Sequence, residues 1–329
     1  MVMQKPMRVV ITGATSGIGL HAAQQLLSQG HRLTVLCRDP KRAVERLGSP
    51  TPQLRLLPTD LADLSQVDQA CQQLRRDNEA IDAIVLNAGL QYAGAQQARF
   101  SAQGIELTFA VNQLAHQHLV TALLPLIQAA EAGRVIITAS EVHNPASGGG
   151  RVGQPAGLGT LDGLKRGPGF EMVDGRSDFD ADKAYKDSKL CNLLLARQLV
   201  SRLAHERSTL PVITWSPGLV IPRSADGFFR DSRRVNPLGQ AIFALIARDL
   251  LRLTVSVEQA GSLLVDLISA DQFAPGFHYL SNVLKGPGRH QFEATATSDE
   301  AANLKLASEL YATCSSLITH ACSKPSGTA

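Results

Sequence analysis

A short apolar run feeding a glycine-rich turn constrains the fold of this chain more than any other feature. Met7-Arg8-Val9-Val10-Ile11 is rich in β-branched residues and reads as a buried strand. It runs directly into Thr12-Gly13-Ala14-Thr15-Ser16-Gly17-Ile18-Gly19, after which Leu20, Ala23, Leu26 and Leu27 fall near one face of a helix. Strand, glycine turn and helix in this order form a seat for a dinucleotide. The glycines allow a tight turn and close approach of backbone to pyrophosphate, and the helix N-terminus offers free N–H groups and a partial positive charge. Gly13, Ser16, Gly17, Ile18 and Gly19 are therefore candidate cofactor contacts.

A second local pattern carries chemistry. Tyr185 and Lys189 stand four apart in Ala184-Tyr185-Lys186-Asp187-Ser188-Lys189-Leu190-Cys191-Asn192, so on a helix they share a face. A phenol beside an ammonium has its phenolate favoured, which makes a Tyr a usable proton donor or acceptor. Cys191, six residues after Tyr185, points elsewhere and reads as a buried packing thiol.

Composition narrows the class. The chain has 329 residues and a net charge of +3, too small to argue for nucleic acid. Strands alternate with helical stretches, which predicts a parallel sheet with helices on both faces. The five cysteines show no metal-ligand spacing, so no metal is expected, and they suit a reducing, cytoplasmic compartment. No signal peptide opens the chain and no apolar stretch reaches the length of a membrane span. Ser323 to Ala329 read as a frayed tail.

The glycine spacing, Gly-x-x-x-Gly-x-Gly, together with Tyr185-x-x-x-Lys189, resembles the short-chain dehydrogenase/reductase family. Further marks follow in the family's order. Asp60-Leu61 comes after a strand near Leu54 to Leu57, where the family holds adenine. Asn87-Ala88-Gly89 follows the strand Ala83 to Leu86 at the floor of the cofactor site. Asn112 matches the family's active-site Asn, and Ser140, ending the strand that starts near Gly133, its catalytic Ser. Pro217-Gly218 follows the strand Val212 to Trp215, where the nicotinamide carboxamide lies. Arg38 closes the strand Arg32 to Cys37 at the adenosine ribose. A carboxylate there would take a 2′-OH, whereas an Arg suits a 2′-phosphate, so NADPH is expected over NADH despite the adjacent Asp39. The resemblance implies a Rossmann-like, doubly wound α/β fold in a single domain over 1–329, with Tyr185, Lys189, Ser140 and Asn112 as the catalytic set.

The gap from Ser140 to Tyr185 is far longer than in ordinary members of that family. The insertion, about 143–180, includes Ser147-Gly148-Gly149-Gly150 and Gly167-Pro168-Gly169 and is expected to form a wall or lid over the substrate. With Leu161-Asp162-Gly163-Leu164, the Ala184 to Asn192 segment and Ser256-Val257-Glu258-Gln259-Ala260-Gly261, it resembles the light-dependent protochlorophyllide reductase branch. That resemblance implies light-driven transfer of hydride from NADPH to C17 of protochlorophyllide and of a proton to C18. Leu219 stands where that branch usually carries a Cys after Pro-Gly, and aromatic content is only 5%. Two alternatives are a dark NADPH-dependent carbonyl reductase for a bulky apolar ketone or aldehyde, and a cofactor-binding scaffold. The apolar, Arg-flanked stretch Phe228 to Leu253, within a region of about 225–255, reads as a lid or subunit-interface helix, which would serve a homo-oligomer. Its sharper reading is peripheral attachment to an anionic, photosynthetic membrane.

Overall fold

Val9 and Ile11 enter one buried cluster while Val10 enters another, so the first strand is covered on both faces. The structure is a computed structural model and describes residues 5–223, 228–270 and 273–323. Its first half contains β1 (Arg8–Thr12), α1 (Gly17–Ser28), β2 (Arg32–Cys37), α2 (Pro40–Leu47), β3 (Leu54–Pro58), α3 (Leu64–Asp77) and β4 (Ala83–Leu86). A short α4 (Leu107–Phe109) leads through a π-helical turn (Ala110–Leu114) into α5 (Ala115–Gln128) and β5 (Arg134–Thr138). Then come α6 (Asp162–Lys165), α7 (Ala181–His205), β6 (Pro211–Ser216), α8 (Arg230–Val235) and α9 (Pro237–Ala244). The described chain closes with α10 (Val257–Ser269), β7 (Gly276–Gly286), β8 (Arg289–Ala294) and α11 (Leu304–Ser323). The tail expected from Ser323 onward lies outside the described residues, except for Ser323 itself, which ends α11. The first residues, where a signal peptide was sought, lie outside them up to Gln4.

The sheet runs β3-β2-β1-β4-β5-β6-β7-β8. Neighbours from β3 to β7 pair in parallel, and β8 turns back antiparallel on β7. Strand order reverses direction between β1 and β4, which opens a crevice at their carboxyl ends. One face packs α1 and α10 on the sheet through Ala22, Ala23, Leu26, Leu264 and Ile268. The other packs α3, α5 and α7 through Leu74, Leu119, Leu123, Leu195 and Leu199. The expected doubly wound α/β fold is therefore present, with an antiparallel edge hairpin added.

The insertion before Tyr185 is mostly irregular but firmly seated. Leu158, Leu161, Leu164, Phe170 and Val173 are buried with Phe109, Leu190, Leu194 and the α11 residues Leu306 and Leu310. Its polar anchors come from α7. Lys183 Nζ donates to Asp187 Oδ2 (2.7 Å) and to the Gly157 carbonyl (2.8 Å), and lies 3.2 Å from Asp174 Oδ2. Lys186 Nζ donates to the carbonyls of Gly150, Val152 and Gln154. The insertion is thus part of the core around α7 and α11. Cys191 is fully buried in the same cluster, as its helical phase predicts.

The stretch read as one apolar helix from Phe228 to Leu253 is broken. Pro237 starts a new helix because it cannot continue the preceding hydrogen-bond ladder, and Asn236 caps that helix by accepting from the Gly239 N–H (2.9 Å). A π-helical turn, Leu245–Leu250, follows α9. Leu238, Ile242, Phe243, Leu245, Ile246, Leu250 and Leu251 remain exposed. Among the described residues no helix is long and apolar enough to cross a membrane.

Asp187 is the most sensitive point of this packing. Burial pushes its carboxyl up to about 7 even though Lys183 pulls the other way. Replacing Lys183 with Met leaves that carboxyl without its cation and is expected to cost about 3 kcal/mol in urea unfolding. Adding Asp187→Asn, which keeps an acceptor for the Gly157 N–H, should restore about half. Equal loss in both variants would show that the pair is not the anchor.

Candidate active site

The crevice at the carboxyl ends of β1 and β4 holds the glycine turn. Gly13 and Gly17 adopt φ of +70 and +55, a region that favours glycine. A Cβ on Gly13 would come within 2.7 Å of Ala88 Cα, and one on Gly19 would overlap the Gly13 carbonyl and Asn87 Nδ2. The turn is therefore pressed against the Asn87-Ala88-Gly89 segment with no room for a side chain. Ser16 precedes α1 in extended backbone and its hydroxyl makes no cap bond, so the N–H groups of Gly17, Ile18 and Gly19 at the helix start take no cap from it. This cradle fits the pyrophosphate of a dinucleotide.

Asn87 joins the turn to the sheet. Its backbone N–H and that of Ala88 donate to Thr12 Oγ1 (3.0 and 2.9 Å), and its Nδ2 donates to the Thr12 carbonyl (3.2 Å). Its Oδ1 accepts from Thr138 Oγ1 (3.3 Å), which in turn accepts from Trp215 Nε1 (3.0 Å). At the adenosine end, Asp60 Oδ1 accepts from the Ala62 N–H (3.0 Å), beside the buried Leu61. Arg38 is exposed at the end of β2. Asp39 accepts from the Arg42 N–H (3.1 Å) as the cap of α2, so its carboxylate is already engaged in the fold. Pro217 accepts from Asn282 Nδ2 (3.3 Å), and Gly218 holds φ +80 against the Asn282 carbonyl.

The proton-handling residues meet on the far side of the same crevice. Helix α7 begins at the Asp180 cap, whose side chain accepts from the Asp182 and Lys183 N–H groups, and this fixes the phase of Tyr185 and Lys189. Ser140 is the polar neighbour that acts on the buried Tyr185 phenol, drawing its pKa down against the effect of burial. Ser140 is held by its neighbours: its carbonyl accepts from His143 Nδ1 (2.6 Å), and its hydroxyl accepts from the Val142 N–H (3.5 Å). His143 Nε2 accepts from the Ser298 N–H (3.3 Å), which makes Nδ1 the protonated nitrogen. Lys189 is buried, with Nζ 5.7 Å from the Tyr185 ring centroid, and donates to the Thr138 carbonyl (2.8 Å) and Asn192 Oδ1 (3.3 Å).

The electrostatics differ from the sequence expectation. Burial pushes the Tyr185 phenol well above its ordinary value, with Ser140 pulling the other way. Burial also draws the Lys189 ammonium down to about 7. A Lys that is half neutral near pH 7 does little to favour a phenolate, so desolvation outweighs the charge pairing read from the i,i+4 spacing.

Asn112 lies in the π-helical turn, and its side chain is fully engaged. Oδ1 accepts from the Leu90 N–H (2.9 Å), while Nδ2 donates to the Leu90 carbonyl and to Ser188 Oγ (both 3.0 Å). Its backbone carbonyl accepts from Asn192 Nδ2 (2.7 Å). Asn192 therefore bridges Lys189 to the π-turn. Thr138 and Ser188 escaped the sequence reading, since a buried hydroxyl carries no pattern of its own.

Phe228 is the largest surprise. Its ring centroid stands 5.1 Å from that of Tyr185, tilted by 59°. A Cβ placed on Gly89 would lie 3.7 Å from Lys189 Nζ, 3.8 Å from Asn112 Oδ1 and 4.0 Å from Phe228 Cε2. These groups converge on one point, with Phe228 as its apolar wall. Phe229, Ile221 and Ala247 back that wall, with Leu219 packed against them. What packs on Tyr185 thus comes from the chain after β6.

A family model described as short chain dehydrogenase matches residues 7–150. The chain is 34% identical over 270 residues to protochlorophyllide reductase A, chloroplastic, of Oryza sativa, an alignment covering 79% of this chain and 68% of that one. It is 33% identical over 274 residues to the chloroplastic protochlorophyllide reductase of Chlamydomonas reinhardtii, covering 81% and 67%. Among solved structures, an uncharacterized protein from Mycobacterium paratuberculosis is similar in fold, with a TM-score of 0.66 over 95% of this chain and 93% of that one at 23% identity. The chain belongs to the short-chain dehydrogenase family, as a divergent relative of the protochlorophyllide reductases, and is an oxidoreductase with a nicotinamide cofactor.

Proposed function

We propose that this chain reduces the C17=C18 double bond of protochlorophyllide with NADPH in a light-driven reaction. The observation that carries the reading is the extent of the likeness to protochlorophyllide reductases, about four-fifths of the chain. The geometry supports the chemistry: a glycine cradle for a dinucleotide shares the crevice with Tyr185, which has Ser140 as a polar neighbour and Lys189 Nζ 5.7 Å from its ring. When bound, NADPH supplies the hydride to C17 after light has excited the pigment.

The side chains have distinct tasks in this proposal. Gly13, Ser16, Gly17, Ile18 and Gly19 take the pyrophosphate, Asp60 and Leu61 the adenine, and Arg38 the 2′-phosphate. Asn87, Ala88, Gly89, Pro217 and Gly218 enclose the nicotinamide end. Tyr185 keeps its proton because burial disfavours the phenolate, and so it is held ready as a donor to C18. Ser140 orients the phenol, and Lys189 faces both the phenol and the cofactor ribose. Asn112 acts by position, holding Leu90 and Ser188 in place. Phe228 offers an apolar face for the macrocycle and helps to exclude water, provided it moves aside or stacks on the incoming ring. The exposed apolar residues of α9 and its following turn, with Arg234 and Arg252 beside them, suit peripheral contact with an anionic photosynthetic membrane.

Leu219 favours a second reading. It occupies the place of a thiol in the pigment branch and packs into the apolar cluster behind Phe228, where it can neither donate nor accept a proton. A dark carbonyl reductase using the same Ser140, Tyr185 and Lys189 would lose nothing by that change.

Absorbance spectra of the protein with NADPH and protochlorophyllide, taken in darkness and after illumination, separate the readings. Chlorophyllide is expected only after illumination, and Leu219→Cys should leave that yield unchanged or raise it modestly. Product from neither protein would sink the photoreductase reading. NADPH should bind more tightly than NADH, and Arg38→Ala should erase most of that preference, about 10-fold to 100-fold for lost charge-assisted hydrogen bonds. Tyr185→Phe should keep cofactor affinity and slow product formation by about 10²-fold or more. An unchanged rate in Tyr185→Phe would move the proton source to water.

A further inference from the structure

On the outer side of the helix layer, away from the crevice, three side chains from distant parts of the sequence converge. Asp68 comes from α3, His118 from α5 and Cys322 from the last turn of α11. His118 Nε2 lies 3.1 Å from Asp68 Oδ1 and 3.8 Å from Cys322 Sγ. One ligand atom from each residue falls within 4.8 Å of the others. All three are partly buried, so the cluster is reachable from solvent without being a loose surface group.

We propose that Asp68, His118 and Cys322 bind a borderline divalent transition metal, with Zn²⁺ as the expected occupant, and that the ion fastens α11 to α3 and α5. The donor set decides the class of metal. Imidazole and thiolate disfavour Mg²⁺ and Ca²⁺, which take oxygen ligands, and suit Zn²⁺ or Co²⁺. The distances agree with tetrahedral geometry. Bond lengths of about 2.0–2.1 Å to nitrogen, 2.0–2.2 Å to oxygen and 2.3 Å to sulfur place N and O about 3.3 Å apart and N and S about 3.5 Å apart. The observed 3.1 and 3.8 Å need shifts of only a few tenths of an ångström.

The surroundings favour ligation over a simple His–Asp pair. Gln72, one turn along α3, donates from Nε2 to Asp68 Oδ2 (2.7 Å). That bond satisfies the far carboxylate oxygen and holds Oδ1 toward His118, the way outer partners orient metal ligands. Cys322 has its sulfur directed at the same imidazole nitrogen that faces Asp68. That nitrogen, with one N–H or one lone pair, serves a single partner well, whereas an ion would take all three donors. Three protein ligands leave the fourth position for water. Asp68 and a Cys322 thiolate together offset the charge of the ion, and binding releases the thiol proton. Cysteine spacing along the chain is blind to such a site because its ligands come from three separate helices.

The test is a Co²⁺ titration of the full chain under a phosphine reductant. One equivalent should produce a thiolate-to-cobalt charge-transfer band and visible bands of tetrahedral intensity, and Zn²⁺ should displace the cobalt and abolish both. Cys322→Ser, with its fold checked by circular dichroism, should lose the charge-transfer band. Gln72→Leu should weaken Co²⁺ binding by about 10-fold while keeping the band. Absence of the band in the unmodified chain would overturn the proposal. So would a band that survives Cys322→Ser, since the thiolate would then come from another cysteine.

Discussion

The structure hangs on a buried polar chain that crosses the carboxyl edge of the sheet. Thr12 on β1, Asn87 after β4, Thr138 on β5 and Trp215 on β6 are linked by consecutive hydrogen bonds. Thr12, Thr138 and Trp215 are buried and Asn87 is partly so, and an unmade bond between buried groups costs about 1–3 kcal/mol. The chain therefore holds four strands in one relative position at the end where chemistry takes place. Glycine is required at Gly13 and Gly19 for the same reason. Any Cβ at those positions would displace Asn87 or Ala88 and break the chain at its second link.

Lys189 extends this network into the proton-handling side of the crevice. The Thr138 carbonyl accepts from its ammonium, and Asn192 ties it to the freed carbonyl of the π-helical turn at Asn112. A π-turn shifts the hydrogen-bond register and exposes a carbonyl that an ordinary helix would consume. Here that carbonyl is taken by an amide from α7, so α5 and α7 are keyed together at the active centre. The result is a buried seat in which desolvation disfavours the Tyr185 phenolate and draws the Lys189 ammonium down. A phenol in such a setting is a reserve of one proton, released only when a neighbouring anion makes transfer favourable.

What could be read from the sequence was whatever contiguous residues carry. The strand–glycine–helix unit at Thr12–Gly19 and the i,i+4 pair at Tyr185 and Lys189 are local, and their geometry follows from period and φ alone. The parallel core was legible for the same reason, since Val9, Val10 and Ile11 are buried on both faces. Phe228 was not legible as a neighbour of Tyr185, because 43 positions and a strand lie between them and nothing in its local pattern names a partner. The insertion was legible as an addition beside the site, but its seat was not: Leu158, Leu161, Leu164 and Phe170 belong to a core shared with α7 and α11, whose residues lie far along the chain. Electrostatics misled too, because spacing reports proximity and not burial, and at Lys189 burial dominates.

The region after β6 brings these threads together. Leu219 and Ile221 continue directly from Pro217-Gly218 and pack with Phe229 and Ala247, so the wall over Tyr185 is one apolar unit anchored at the end of β6. A thiol at position 219 would put a polar, ionisable atom into that unit, whereas Leu fills it with hydrocarbon. Leu219 and Phe228 thus pack against the same apolar cluster. In the proposed reaction Leu219 leaves Tyr185 as the candidate acid, and burial, which disfavours its phenolate, equips it to hold a proton. The apolar wall and the buried phenol belong to one arrangement, since Phe228 packs against the Tyr185 ring and burial is what disfavours its phenolate.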